Sequence, residues 1–304
     1  MPAILYMLRI PNLLIIAFTF LLLRYLVFLS FYSAFDLEAG MGSLDFLLMV
    51  TATILIAAAG YFSNDYFDIE TDSVNKPEKQ HIGTKISQGS TLALSLLLSF
   101  AAMLLTVFLA FKIGSWIPAG LLLFALFVTW WYAMLLKKSF LWGNIAVSCM
   151  SAGTIAMAWI IEKQCSQIPQ ALSSIITNVI VGISVFAFLL SLMREIVKDI
   201  EDMEGDKVIG CHSVPLVKGI SFTTKLLQTL AAVTFLFLLI AQVQLYQYSR
   251  YFAMLWLFVF VEIPIGYFLF KLNKAQSKIE FHKLSSLLKW IMLGGMGSII
   301  AGQI

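Results

Sequence analysis

Apolar positions fall into nine long runs broken by short polar stretches, at roughly 12–33, 44–63, 91–111, 115–136, 142–161, 173–195, 221–245, 251–271 and 285–302. Each run is close to the about 20 residues that a helix needs to cross a hydrocarbon core. The pattern predicts an all-α polytopic membrane protein with nine transmembrane helices in one domain over 1–304. The first run, Leu13 to Tyr32, is longer than the apolar part of a signal peptide and lacks a small-residue cleavage site, so it reads as a first membrane helix.

Composition sharpens this picture. Of 304 residues, 60% are hydrophobic and only 12% charged, which excludes a soluble protein able to hide its apolar surface. The net charge of +3 is too small and too dispersed for a nucleic-acid partner. Cys149, Cys165 and Cys211 form neither a CxxC nor a Cys/His cluster, and no disulfide framework follows. His81, His212 and His282 suggest no zinc site, and His81 reads as part of a cap over the first polar stretch.

Charge sets the orientation. Of 20 Lys and Arg, fifteen lie before run 1 or after runs 2, 4, 6 and 8, among them Arg9, Lys76, Lys79, Lys137 and Lys138. Only Lys112, Lys163 and Arg250 lie on the opposite side, while Arg24 and Arg194 lie within runs. Positive charge marks the cytoplasm, so the N-terminus is expected inside and the C-terminus outside an integral cell-membrane protein. Arg24 costs roughly 2.5–3.5 kcal/mol at mid-span unless partnered. Glu262, two residues before a kink expected at Pro264, is a candidate partner or a polar cavity group.

Two polar stretches carry the chemistry, both expected on the cytoplasmic side. Asn64-Asp65-Tyr66-Phe67-Asp68-Ile69-Glu70-Thr71-Asp72 follows run 2, and on a helix Asn64, Asp68 and Asp72 share one face. Glu195, Asp199, Asp202 and Asp206 follow run 6 with 4-3-4 spacing, again one face. A solvated acidic loop is the plainer reading of the first, and a charged helix end with Lys198 and Lys207 of the second. Stacked oxygen side chains at a membrane boundary are costly without a cation among them. Two such ladders can hold Mg²⁺ ions, whose usual task is to grip a diphosphate.

With these motifs in view, the chain resembles the UbiA superfamily of intramembrane prenyltransferases. Asn64, Asp65, Asp68 and Asp72 match that family's N-D-x-x-D-x-x-x-D, and Asp202 and Asp206 its D-x-x-x-D, with Asp199 one turn earlier. Asn75-Lys76-Pro77 with Gly83 to Ser87, and Asp202-Met203-Glu204-Gly205-Asp206 with Ser213-Val214-Pro215 and Gly219, resemble segments of the digeranylgeranylglyceryl phosphate synthases in it. Lys79-Gln80 stands where that group has Arg-Pro, and Gly83-Thr84 where it has Ser-Gly.

The resemblance implies a helix bundle around a central cavity opening to the cytoplasmic side. It also implies Mg²⁺-dependent transfer of a prenyl group from an isoprenyl diphosphate to an acceptor. Asn64, Asp68, Asp202 and Asp206 are then the expected metal ligands, and Asp65, Asp72 and Asp199 further ligands, acceptor contacts or orienting groups. Lys137, Lys138, Arg194 and Asn144 are expected near the diphosphate, although Lys137 and Lys138 also serve as topology markers and Arg194 has Glu195 and Asp68 in reach. The acceptor implied first is geranylgeranylglyceryl phosphate, a membrane lipid. An aromatic acid (4-hydroxybenzoate or dihydroxynaphthoate) is the alternative. A cation transporter is the rival outside the enzyme class, and it predicts acids at the bilayer midplane in interrupted helices.

Overall fold

A computed structural model describes residues 3–75, 82–208 and 210–303. Lys76, Pro77, Lys79, Gln80 and His81, invoked above for topology, resemblance and a cap, lie outside the described residues. Among the described residues the protein is helical, with nine helices long and apolar enough to cross a membrane: Ile10–Ala34, Ser43–Phe67, Gln88–Ile113, Ile117–Met134, Trp142–Cys165, Gln170–Glu201, Val214–Gln247, Tyr251–Leu272 and Lys278–Ala301. They are called spans one to nine below. The nine spans are those expected, but several helices run past their apolar stretches. Hydrophobicity marks only the segment that meets hydrocarbon, whereas backbone hydrogen bonding carries the helix on into polar sequence. Span nine begins at Lys278 and not near 285, because Ser277 and Glu280 form a capping box there. Span seven begins at Val214, with Pro215 in its first turn and a break at Gly219, whose φ of 81° and ψ of 163° favour glycine.

The chain divides into two compact units. The first comprises residues 1–137 and 153–177. Its centre is the packing of span two on spans three and four through small residues. Ala52, Ala58, Ala59 and Gly60 are buried, and a Cβ on Gly60 would collide with the Thr129 methyl of span four. Ser95 of span three donates to the Ala59 carbonyl at 2.8 Å. At the end of span two, Met7 of a short N-terminal helix packs with Phe62 and Ile82.

Arg24 belongs to this unit and is buried in a π-helical turn, Leu23–Phe28, closed by the Leu29 N–H on the Arg24 carbonyl. Its Nη2 donates to the Met41 carbonyl at 2.8 Å, its guanidinium lies 4.6 Å from the centre of the Phe46 ring, and its Nη1 is 3.8 Å from Glu162 Oε2. Glu162 in turn accepts from the Gly40 and Met41 N–H groups at 3.1 and 3.2 Å. The partner of Arg24 is therefore Glu162, not Glu262. No periodicity relates positions 138 residues apart, so only packing selects between the two glutamates.

The second unit comprises residues 138–152 and 178–304. Leu190, Met193, Ile196 and Val197 of span six, Leu227 and Ala231 of span seven, Val261, Ile265 and Phe268 of span eight, and Leu284, Leu288 and Ile291 of span nine share one apolar core. Spans eight and nine approach closely at Gly294, where a Cβ would sit 2.6 Å from the Phe260 carbonyl oxygen. Trp256 Nε1 donates to the Gly294 carbonyl at 2.9 Å. The distortion expected at Pro264 is a π-helical turn over Phe258–Glu262, closed by the Ile263 N–H on the Phe258 carbonyl. Proline lacks the N–H that a regular helix would use there. Buried Glu262 accepts from Gln242 Nε2 at 2.7 Å.

Candidate functional site

Each unit carries one of the two acid-rich stretches, and in each the continuous helix expected from the spacing is interrupted. Span two ends at Phe67, Asp68 takes φ −97° and ψ 5°, and a short helix resumes over Ile69–Asn75. Span six ends at Glu201, Asp202 forms the joint, and a short helix follows over Met203–Val208. The pitch nevertheless survives both joints. The Asp68 N–H donates to the Asn64 carbonyl at 3.0 Å and the Asp72 N–H to the Asp68 carbonyl at 2.8 Å. Likewise Asp202 bonds back to Lys198 at 2.8 Å and Asp206 to Asp202 at 3.1 Å. Four-residue spacing thus reads correctly as stacking across both joints.

In the first unit, Asp68 is buried and Asn64, Asp65 and Asp72 are half-buried. Lys137, from the turn after span four, forms a short ion pair with Asp68 Oδ2. Burial disfavours its charge, but Asp68, then Tyr132 and Asp72, outweigh that cost and hold the Lys137 ammonium above its ordinary range. Arg9 Nη2 donates to Asp65 Oδ1 at 2.6 Å, and its guanidinium lies 5.0 Å from the centre of the Tyr61 ring. Arg9 is left-handed (φ 49°, ψ 48°), a conformation costly for a non-glycine residue, and it turns the chain from the N-terminal helix into span one. Sequence reading had assigned Arg9 only to topology; 56 residues separate it from Asp65, and no motif signals the pairing.

In the second unit, Asn144 Nδ2, one turn into span five, donates to Asp199 Oδ2 at 2.8 Å. Glu195 Oε1 accepts from Arg194 Nη1 and Lys198 Nζ, both at 2.9 Å. Of the contacts anticipated for Arg194, the described one is thus to Glu195. Its Nε is buried and lacks an acceptor among the described residues. Asp206 is buried, and its carbonyl accepts from the Cys211 N–H at 2.9 Å. Lys138 has an exposed side chain, and its carbonyl accepts from the His212 N–H at 3.0 Å. Glu201 Oε1 meets His282 Nδ1 at 2.9 Å, a contact that the sequence did not suggest.

The donor set suits a hard divalent cation. Asn64 Oδ1 is buried and accepts no hydrogen bond among the described residues, an unusual cost for an amide oxygen one helical turn from a buried carboxylate. Among the described residues no three His, Cys, Asp or Glu side chains converge into a ready-made cage.

Comparison with known proteins shows what the chain is similar to. The family model described as the UbiA prenyltransferase family matches residues 16–287. A digeranylgeranylglyceryl phosphate synthase of Methanosphaera stadtmanae is 28% identical over 262 residues, 86% of this chain and 88% of the relative. One from Methanothermobacter thermautotrophicus is 32% identical over 180 residues, 59% of this chain, so the match spans only 58% of that relative's length. A solved chain described under digeranylgeranylglyceryl phosphate synthase in membranes superposes with a TM-score of 0.63 at 22% identity, covering 99% of this chain and 98% of that one. A UbiA homologue from Archaeoglobus fulgidus bound to GPP and Mg²⁺ gives 0.57 at 15% identity, covering 95% and 98%. At such identities the structures establish a shared fold alone.

Proposed function

The chain belongs to the UbiA prenyltransferase family, and from that premise we propose that it transfers a geranylgeranyl group from its diphosphate to geranylgeranylglyceryl phosphate with Mg²⁺ as cofactor. The names of the relatives support the acceptor, and the GPP and Mg²⁺ held by the Archaeoglobus fulgidus homologue support the donor and the metal. The observation that carries the reading is the buried Asn64 Oδ1, which accepts no hydrogen bond among the described residues and lies one turn from buried Asp68. Asn64 and Asp68 are the proposed ligands in the first unit, Asp202 and Asp206 those in the second. When bound, the metal supplies positive charge that makes a diphosphate a better leaving group.

The protein's own residues do the rest. Lys137, held cationic, and Arg194, with its buried Nε, neutralise diphosphate oxygens, assisted by Lys138. The allylic C–O bond breaks with its electron pair leaving on the diphosphate, and the acceptor hydroxyl oxygen closes an ether bond to that carbon. The hydroxyl proton passes to a carboxylate, for which Asp65, Asp72 and Asp199 are the candidates. Arg9 fixes the first of these and Asn144 the third, so Asn144 acts through Asp199 as well as near the diphosphate. The charge bias of the loops supports a cytoplasmic N-terminus and acidic joints, with the C-terminus outside.

The test is transfer of labelled geranylgeranyl diphosphate by purified protein with Mg²⁺ and three acceptors: geranylgeranylglyceryl phosphate, 4-hydroxybenzoate and dihydroxynaphthoate. One Mg²⁺-dependent ether lipid, lost in Asp68→Ala and Asp202→Ala, supports the reading. Label on an aromatic ring moves the acceptor to quinone chemistry. Absence of diphosphate turnover, with Mg²⁺ flux in proteoliposomes, replaces the enzyme by a transporter.

A further inference from the structure

The second unit carries a feature that prenyl transfer does not use. Beside the close contact of spans eight and nine lies a cavity of about 340 Å³, lined among others by Trp256, Phe260, Pro264, Leu287, Trp290 and Gly294. It is open at the protein surface: Trp290 is 71% exposed and Phe260 47%. The indole N–H of Trp256 is already bonded to Gly294, which leaves the groove apolar. These residues occupy the middle of both spans, a depth at which a neighbour is hydrocarbon.

The rim gives the occupant its charge. Lys271 stands seven residues beyond Pro264, two turns along the same stripe of span eight and about 10 Å further along the axis. Lys283 stands one turn before Leu287 on the matching stripe of span nine, about 6 Å along its axis. Both lysines are exposed, and both lie toward the turn that joins the two helices. The Lys271 ammonium leans back over the Tyr267 ring, 5.5 Å from its centre, and Lys274 sits 4.1 Å from that of Phe270. Glu280, the one acid between residues 263 and 289, is held on the span-nine cap by the Gln276 and Ser277 N–H groups and the Ser277 hydroxyl, each at 2.9 Å.

An apolar groove at hydrocarbon depth with a cationic rim one to two turns away is complementary to an amphiphile with an anionic head. We propose that this face of spans eight and nine binds one anionic membrane phospholipid. An acyl chain lies in the groove past Trp290, and the phosphate is held by Lys271 and Lys283. This site is independent of the prenyl-transfer reading and of the acidic joints.

The full chain in phosphatidylcholine nanodiscs, doped with phosphatidylglycerol brominated on its acyl chains, reports occupancy through tryptophan quenching. Subtracting the quenching of Trp290→Phe isolates the groove. The brominated anionic lipid quenches Trp290 at lower mole fraction than brominated phosphatidylcholine. The preference falls about fivefold in Lys271→Gln or Lys283→Gln and on the order of 25-fold in the double variant. Both lysines are exposed, and an unchanged melting temperature verifies that the variants fold. Equal quenching by the two lipids, or a preference untouched in the double variant, overturns the headgroup assignment. Wild-type quenching identical to that of Trp290→Phe overturns the groove. Displacement by geranylgeranylglyceryl phosphate but not by unlabelled phosphatidylglycerol overturns the proposal by assigning the groove to a substrate. A dimer that shields Trp290 from both lipids overturns it in favour of a second copy of the chain.

Discussion

The two units share a plan and differ in how they answer buried negative charge. Each has a long span ending in an acid-rich joint, and each has a π-helical turn with an ionisable residue facing inward. In the first unit the answers are cations from distant sequence: Arg9 for Asp65, Lys137 for Asp68 and Arg24 for Glu162. In the second they include neutral amides: Asn144 for Asp199 and Gln242 for Glu262. The cations named there are local, as Arg194 and Lys198 meet Glu195 within one turn. An ion pair in a low-dielectric interior fails badly when one member is removed, because a bare charge is left behind. A carboxylate met by an amide loses only a hydrogen bond. The first unit is therefore expected to be brittle toward charge changes and the second tolerant of them, except at the acids proposed to hold metal.

The largest effect tests that exception. Asp68→Ala and Asp202→Ala should each lower the rate of prenyl transfer by at least about 10²–10³-fold, as loss of a group that stabilises developing charge does. Steady-state rates and circular dichroism together check this. Equal losses make the acidic joints functional equals, whereas a loss confined to one breaks the comparison at its centre.

Next is one chemical change made in both units. Glu162→Gln leaves Arg24 buried without its counter-charge and should cost about 3–5 kcal/mol. Glu262→Gln retains an acceptor for Gln242 and should cost no more than about 1.5 kcal/mol. Denaturation in mixed micelles measures both, and equal costs would refute the contrast.

Lys137→Met and Asn144→Ala probe the partners instead of the acids. Lys137→Met should raise the KM for the prenyl diphosphate, since it removes the cation proposed to meet the leaving group, and should also destabilise the first unit by leaving Asp68 buried without its counter-charge. Asn144→Ala leaves Asp199 without its amide at a cost of about 1–3 kcal/mol, and Asn144→Asp should be worse than Asn144→Ala. The last effect is small: Arg9→Gln should lower stability by at most about 1 kcal/mol, because the Arg9 side chain is 39% exposed and solvent screens its pair with Asp65.

The first joint shows how far the sequence could be read. The positions of its acids, their four-residue stacking and their place at the end of an apolar run were all legible, because helical pitch is local and the hydrophobic pattern is written residue by residue. The break at Asp68 was not, since it depends on φ and ψ at one residue. The second joint was legible to the same extent, and its break at Asp202 was likewise not written in the spacing. The partners were not legible in either. Lys137 stood out only as a basic residue after span four, Asn144 only by resemblance, and Glu162 by nothing at all.

The sequence by itself determined that the chain has nine apolar spans, that it carries two oxygen-rich stretches, and which family it joins. The spans and the stretches follow from composition and short-range periodicity, which any segment expresses without its neighbours, while the family came from the resemblance of the two motifs. Only the tertiary structure decided which charge answers which: Arg24 with Glu162 and not Glu262, Arg9 with Asp65, Lys137 with Asp68. A buried charge in a medium that screens little is stabilised by whichever opposite charge packing brings within a few ångströms, and distance along the chain has no bearing on that choice.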